Sequence, residues 1–125
     1  MFQSLELMRM AHAIATHAGE RQAVIAQNVA HSDTPGYRAK DMVEFASIYR
    51  DAGMPMKSTR AGHLGGRFET KSVIEDTSAT QSPDGNTVSI EEQMVKASET
   101  RHDHDVALAV YKTSLDILRL SVGRR

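Results

Sequence analysis

The side chains best suited to chemistry in this chain of 125 residues are its six histidines, and the densest group is His102-Asp103-His104-Asp105. Imidazoles and carboxylates together are ordinary donors for zinc or another transition metal, and a histidine beside an acid is the start of a general-base pair. Spacing argues against both. A helix turns about 100° per residue, so side chains at 102 and 104 point about 200° apart and cannot close on one ion. His12 and His17 miss the i, i+4 spacing of helix-borne zinc pairs. Cysteine is absent, which removes thiolate ligands, thiol nucleophiles and disulfides together and leaves the redox compartment undetermined. There is no Gly-x-Ser-x-Gly elbow, no phosphate-cradling turn that opens a helix, and no pair of catalytic carboxylates. Residues 62–66 (GHLGG) follow no strand pattern and read as loop. The expectation is a protein with no catalytic, cofactor-binding or metal-binding residues; a histidine-dependent hydrolase rests on composition alone.

Composition narrows the partners. Aromatic residues make up 5% of the chain and Trp is absent, so a large self-contained core is not available. A formal net charge of −1 with both signs interspersed leaves no basic stripe for nucleic acid or an anionic membrane. The first ten residues place Glu6 and Arg9 among Phe2, Leu5, Leu7 and Met8, which is not a cleavable secretory leader. No apolar run approaches the roughly 18 residues a bilayer span requires.

The elements that carry these residues are two amphipathic helices. In the first, Leu7, Ala11, Ile14, Ala18, Ile25 and Val29 follow helical spacing, and many side chains on that face are small. In the second, Ile90, Met94, Ala97, Arg101, His104, Leu108, Tyr111, Leu115, Leu118 and Val122 alternate steps of four and three, the pattern of a heptad seam. Arg101 and His104 sit at core-type positions, where polar groups can fix register. Ser89 followed by Glu92 reads as a capping box at the start of this helix. Val106, Val110, Ile117 and Leu120 lie off the seam, so the last turns are apolar on more than one side and call for more than one partner. Between the helices, residues 53–85 are rich in Gly and Pro and predict weak order; 67–74 reads as a short strand and 43–52 as a short helix. Residues 82–86 (SPDGN) form a turn before the second helix.

Where the first helix pattern stops, residues 28–41 read NVAHSDTPGYRAKD. Thr34-Pro35-Gly36-Tyr37 predicts a type II turn, since Pro35 presets its φ and Gly36 tolerates a positive one. Asn28, Ala30, Asp33, Thr34, Pro35, Gly36 and Tyr37, continued by Ala39, Asp41 and Phe45, resemble the N-terminal signature of the bacterial flagellar rod and hook family, most closely its proximal rod members. His31 stands where that family usually has a second Asn. Val88 to Met94, VSIEEQM, extends the likeness to the second helix.

The resemblance implies a mainly α fold: two long terminal helices forming a coiled-coil-like layer, joined by a turn motif and a flexible middle with short β segments. It implies a single rod-type domain over 1–125, divided as an N-terminal helix (1–30), signature turn and short helix (31–52), weakly β middle (53–86) and C-terminal heptad helix (87–125). The implied function is a structural subunit of the flagellar basal-body rod, its terminal helices lining an export channel. The implied partners are copies of itself, other rod proteins (FlgC, FlgF), FliE, and membrane-ring and export-gate proteins. The implied location is the periplasmic rod, reached by type III export without a cleaved signal. Two helices bury little surface against an ordering cost of about 1–2 kcal/mol per residue, so folding is expected to be coupled to assembly. The rival is a free-standing coiled-coil adaptor or chaperone of a secretion system, which accounts for the helices but not for the turn.

Overall fold

The computed structural model describes residues 2–51, 73–75 and 80–123. Along the chain run α1 (Phe2–Ala30), β1 (Lys40–Met42), α2 (Phe45–Asp51), β2 (Val73–Glu75) and α3 (Ile90–Val122). The fold is mainly helical, with two long terminal helices and one small antiparallel sheet. At 29 and 33 residues, α1 and α3 extend about 44 and 50 Å at 1.5 Å per residue. They pair as an antiparallel hairpin: Asn28 near the end of α1 meets Gln93 in the first turn of α3, while Ala18 and Gln22 line one groove with Ala97 and His104.

Buried positions on both helices recur every seventh residue, Ala11, Ala18 and Ile25 on α1 and Gln93, Thr100, Ala107 and Ser114 on α3. A seven-residue repeat is the period of a left-handed supercoil, and small side chains at its centre let the two backbones approach closely. The hydroxyls in this seam turn back on their own helix, Thr100 donating to Lys96 O at 2.7 Å and Ser114 to Val110 O at 2.8 Å. Among the described residues no buried side-chain nitrogen or oxygen lacks a partner.

The apolar stripe read from the sequence of α3 does not coincide with this buried line. Ile90, Met94, Leu108 and Val122 are 47, 69, 48 and 68% exposed, whereas Leu115 and Leu118 are half-buried. The reason is steric. Alanine-rich α1 is best approached by the small side chains of α3, which leaves the larger ones along the flank. On α1, Leu7 and Val29 are exposed and Ile14 is half-buried.

One side of the hairpin is covered. The chain from Lys40 to Phe45 runs back along α1 from Asn28 to His17, with buried Val24 between. His17 hydrogen-bonds Val43 O through Nε2 at 2.8 Å, and its ring meets Phe45 edge-on with centroids 5.7 Å apart. The short helix expected over 43–52 is α2, where Glu44 O accepts from Ser47 and Ile48. β1 pairs with β2 in the register Lys40↔Glu75, Asp41↔Ile74, Met42↔Val73. β2 overlaps the end of the strand expected over 67–74; 67–72, like the GHLGG stretch and most of the middle for which weak order is expected, lies outside the described residues. β1 was not anticipated, because Lys-Asp-Met has no β-branched side chain; its pairing is imposed from outside, by β2 on one edge and Asn28 on the other.

Ser89 caps α3, accepting from Glu92 N at 3.4 Å. The carboxylate of Glu92 meets Lys96 at 3.2 Å, one turn onward, while Ser89 Oγ donates to Glu91 Oε2 at 3.1 Å, so the acidic partner of the cap hydroxyl is Glu91 and the Glu92 carboxylate serves the helix face.

Candidate functional site

The residues singled out by sequence gather at one end of the hairpin, where α1 stops. His31 N bonds to Gln27 O and Asn28 O, both at 3.1 Å, and Ser32 N to Val29 O at 3.2 Å, which tightens the last turn. Tyr37 N then donates to Thr34 O at 3.2 Å with Gly36 at φ +73°, the type II turn expected from Pro35-Gly36. Ala30, Asp33, Thr34, Pro35 and Gly36 are exposed, Tyr37 is half-buried and Asn28 is fully enclosed.

Asn28 acts as a piece of backbone. Its Nδ2 donates to Lys40 O at 2.6 Å and its Oδ1 accepts from Lys40 N at 3.0 Å, so the carboxamide pairs with one peptide of β1 as a neighbouring strand would. The same amide donates to Gln93 Oε1 at 2.9 Å and accepts from Tyr37 Oη at 3.3 Å. One side chain thus ties α1, the turn, β1 and α3 together. His31 does not enter this network. It stacks on Tyr37, rings 4.6 Å apart and 20° from parallel, with Nδ1 3.2 Å from Thr34 Oγ1.

A second asparagine, missed by sequence, holds the turn from the other side. Asn86, 2% exposed, directs Nδ2 at His31 O, Ser32 O and Thr34 O at 2.9, 2.8 and 2.9 Å, while Oδ1 accepts from Val88 N at 2.7 Å. Two amide hydrogens serve three carbonyls, one of them shared. Thr87 completes the clamp, its N–H donating to Tyr37 O at 3.1 Å and its Oγ1 accepting from Ala39 N at 2.7 Å. Gly36 N reaches Asp84 O at 3.1 Å. Gly85 has φ +86°, and a Cβ there would stand 3.3 Å from Gly36 Cα, so two glycines lie back to back. The 82–86 segment, read as a simple reset turn, is the other jaw of the signature. A Gly-Asn-Thr run is common in loops, which is why spacing alone gave no sign of it.

Asp41 anchors the covered side of the hairpin. Arg21 grips it with Nε–Oδ1 at 2.9 Å and Nη2–Oδ2 at 3.1 Å, Lys96 Nζ lies 3.5 Å from Oδ2, and Met42 N donates to Oδ1 at 2.8 Å. Burial pushes the Asp41 carboxyl up, but the hydrogen bond from Arg21, the Met42 N–H and the positive charges of Arg21 and Lys96 together hold it below the usual carboxylate range. The same hydrogen bond raises Arg21, against the opposing effect of its burial. A carboxyl whose folded pKa is depressed stabilises the fold above its unfolded value of about 3.9 and loses that contribution as pH falls through the folded value. Resistance to thermal unfolding is therefore expected to fall progressively below about pH 4. Asp41→Asn should cost about 2 kcal/mol at neutral pH and flatten this part of the acid limb; an unchanged acid limb would remove Asp41 from it.

The other sequence-selected positions lie along the helices. Ala11, Ala18 and Ile25 are buried in the hairpin. Ala97 lines an open groove with Ala18, Gly19, Gln22, Arg101 and His104, on the flank away from β1. Beyond it Tyr111 is 38% exposed, and Val95, Val106, Ile117 and Leu120 add further uncovered apolar surface on α3. Together these side chains form an extended exposed apolar surface along one helix. Among the described residues no three His, Asp or Glu side chains converge to hold a metal, and no helix is long and apolar enough to cross a membrane.

Two long terminal helices joined through a Thr-Pro-Gly-Tyr turn motif and a short sheet are the fold that the rod resemblance implied. No family profile matches the chain. Individual relatives do. The flagellar basal body rod protein FlgB of Agrobacterium fabrum is 26% identical over 129 residues, spanning 98% of this chain and 96% of its own length. The FlgB proteins of Aquifex aeolicus and Salmonella typhimurium are 29% and 25% identical, spanning 84% and 77% of this chain and 84% and 78% of their own. This chain is thus similar to FlgB flagellar basal-body rod proteins of three bacteria over most of its length.

Proposed function

We propose that this chain is a structural subunit of the bacterial flagellar basal-body rod, at its proximal end, and not an enzyme. The observation that carries the proposal is the similarity to FlgB proteins along nearly the whole chain, and the uncovered apolar flanks of the hairpin support it. The terminal helices assemble into a helical tube that links the membrane ring and export gate to the rest of the rod. Its neighbours are copies of itself, FliE, FlgC, FlgF, and membrane-ring and export-gate proteins. It reaches the periplasmic rod through the flagellar export apparatus, without a cleaved signal. Residues 28–37 set the end of the first helix, and the seam and flank residues of both helices make the contacts. A free-standing adaptor has no observation in its favour.

Deleting the gene and imaging cell envelopes by electron microscopy tests the reading. The expected result is basal bodies with membrane rings but no rod, restored by the gene in trans. A complete rod in the deletion strain would overturn it.

A further inference from the structure

α3 carries more apolar surface than α1 covers. With Gln93, Thr100, Ala107 and Ser114 facing α1, two further stripes run along the helix. One passes through Met94 and Leu108, 69 and 48% exposed, with Arg101 between them. The other passes through Val95, Val106 and Leu120, 58, 48 and 74% exposed, with Glu99 between the first two. Residues 99 and 101 differ by about 200° around the helix and by about 3 Å along it. The cation and the anion therefore sit on opposite flanks at nearly the same height.

Such a helix complements itself in one arrangement. Placed side by side, parallel and nearly in register, one copy's Arg101 flank meets the next copy's Glu99 flank, apolar on apolar with the opposite charges paired at the polar break. A two-fold contact of the Arg101 flank with itself would set guanidinium against guanidinium. The parallel contact is heterologous, so each added copy leaves a free flank for another, which builds an open or ring-like array and not a closed pair. We propose that α3 docks on α3 of a second copy of this chain by these two flanks, with Arg101 facing the second copy's Glu99. The proposal rests on the rod reading and adds to it the surface and the register by which neighbouring copies meet.

The absence of cysteine makes the contact directly testable. Val106→Cys and Leu108→Cys each lie one heptad beyond Glu99 and Arg101 on the respective flanks, and both sites are exposed enough to leave the hairpin intact. Basal bodies are isolated from cells whose sole copy is the variant, then oxidised and resolved by denaturing electrophoresis. The double variant V106C/L108C is expected to yield chain–chain dimers and longer multimers, and neither single variant should. In that background R101E or E99R should each reduce the multimers at least fivefold, and the combination R101E/E99R should restore them. Cross-links from a single cysteine, cross-links to a different protein alone, or no chain–chain product in basal bodies that contain the chain would overturn the flank pairing. These outcomes leave the rod reading standing, since that reading falls only if the deletion strain still builds a complete rod.

Discussion

Asn86→Ala is expected to lower stability by about 3 kcal/mol and to release the turn at the end of α1. The substitution strips donors from three carbonyls, His31 O, Ser32 O and Thr34 O, and the acceptor from Val88 N. A net hydrogen bond is worth about 1 kcal/mol, and a buried polar group left without a partner costs about 1–3. Part of the loss is recovered because the loop carbonyls can turn to water. Denaturant unfolding followed by helical circular dichroism gives the total. Amide hydrogen exchange locates it, and Gly36 N–H and Thr87 N–H, which bridge the two jaws, should lose protection before the middle of α1 does. A loss under about 0.5 kcal/mol, the range of ordinary surface substitutions, would mean that the turn does not depend on Asn86.

Asn28→Asp is expected to be at least as damaging, and its pH dependence identifies the cause. The new side chain has the same shape, but an ionised carboxylate would press an acceptor against Lys40 O, where Nδ2 now donates at 2.6 Å. Gln93 can relieve its own half of the conflict by turning its amide to donate; the backbone carbonyl cannot. A cost of about 3 kcal/mol at pH 7 follows from an enclosed charge facing a fixed acceptor. Protonated, the same carboxyl donates to Lys40 O, so its folded pKa stands above its unfolded value of about 3.9. Its contribution is then present below the unfolded value and is lost as pH rises through the folded one. The variant should therefore recover stability relative to the parent between about pH 6 and pH 4, a direction opposite to that set by Asp41. A deficit that does not change with pH would point to packing.

The sequence was informative where a physical requirement is local. Pro35-Gly36 can hardly be anything but a turn, Ser89 caps the helix it precedes, and the three-and-four rhythm of 90–122 marks a helix without reference to any partner. What it does not contain is direction. The same rhythm marked an apolar seam on α3 but did not reveal that α1, being lined with alanine, would face Gln93, Thr100, Ala107 and Ser114 instead. Polar residues at the centre of a seam contradict the rule by which seams are found. β1 was hidden for a related reason, since Lys40 to Met42 are extended by what pairs with them and not by their own preference. Asn86 was hidden because its partners are more than fifty residues away in sequence, at His31 and Ser32. Asn28 was recognised as part of a signature, but its duty as a substitute strand edge shows only once Lys40 is beside it.

The back-to-back glycines and the two three-residue strands also define a doorway. The chain leaves the hairpin beside Gly36 through β1 and returns through β2 and Gly85, so the two ends of the intervening segment are held at a fixed spacing regardless of what lies between them. Lengthening a connection whose ends are already pinned costs only about 0.6 kcal/mol for each doubling. Inserted sequence between α2 and β2 therefore has little leverage on the geometry of the hairpin.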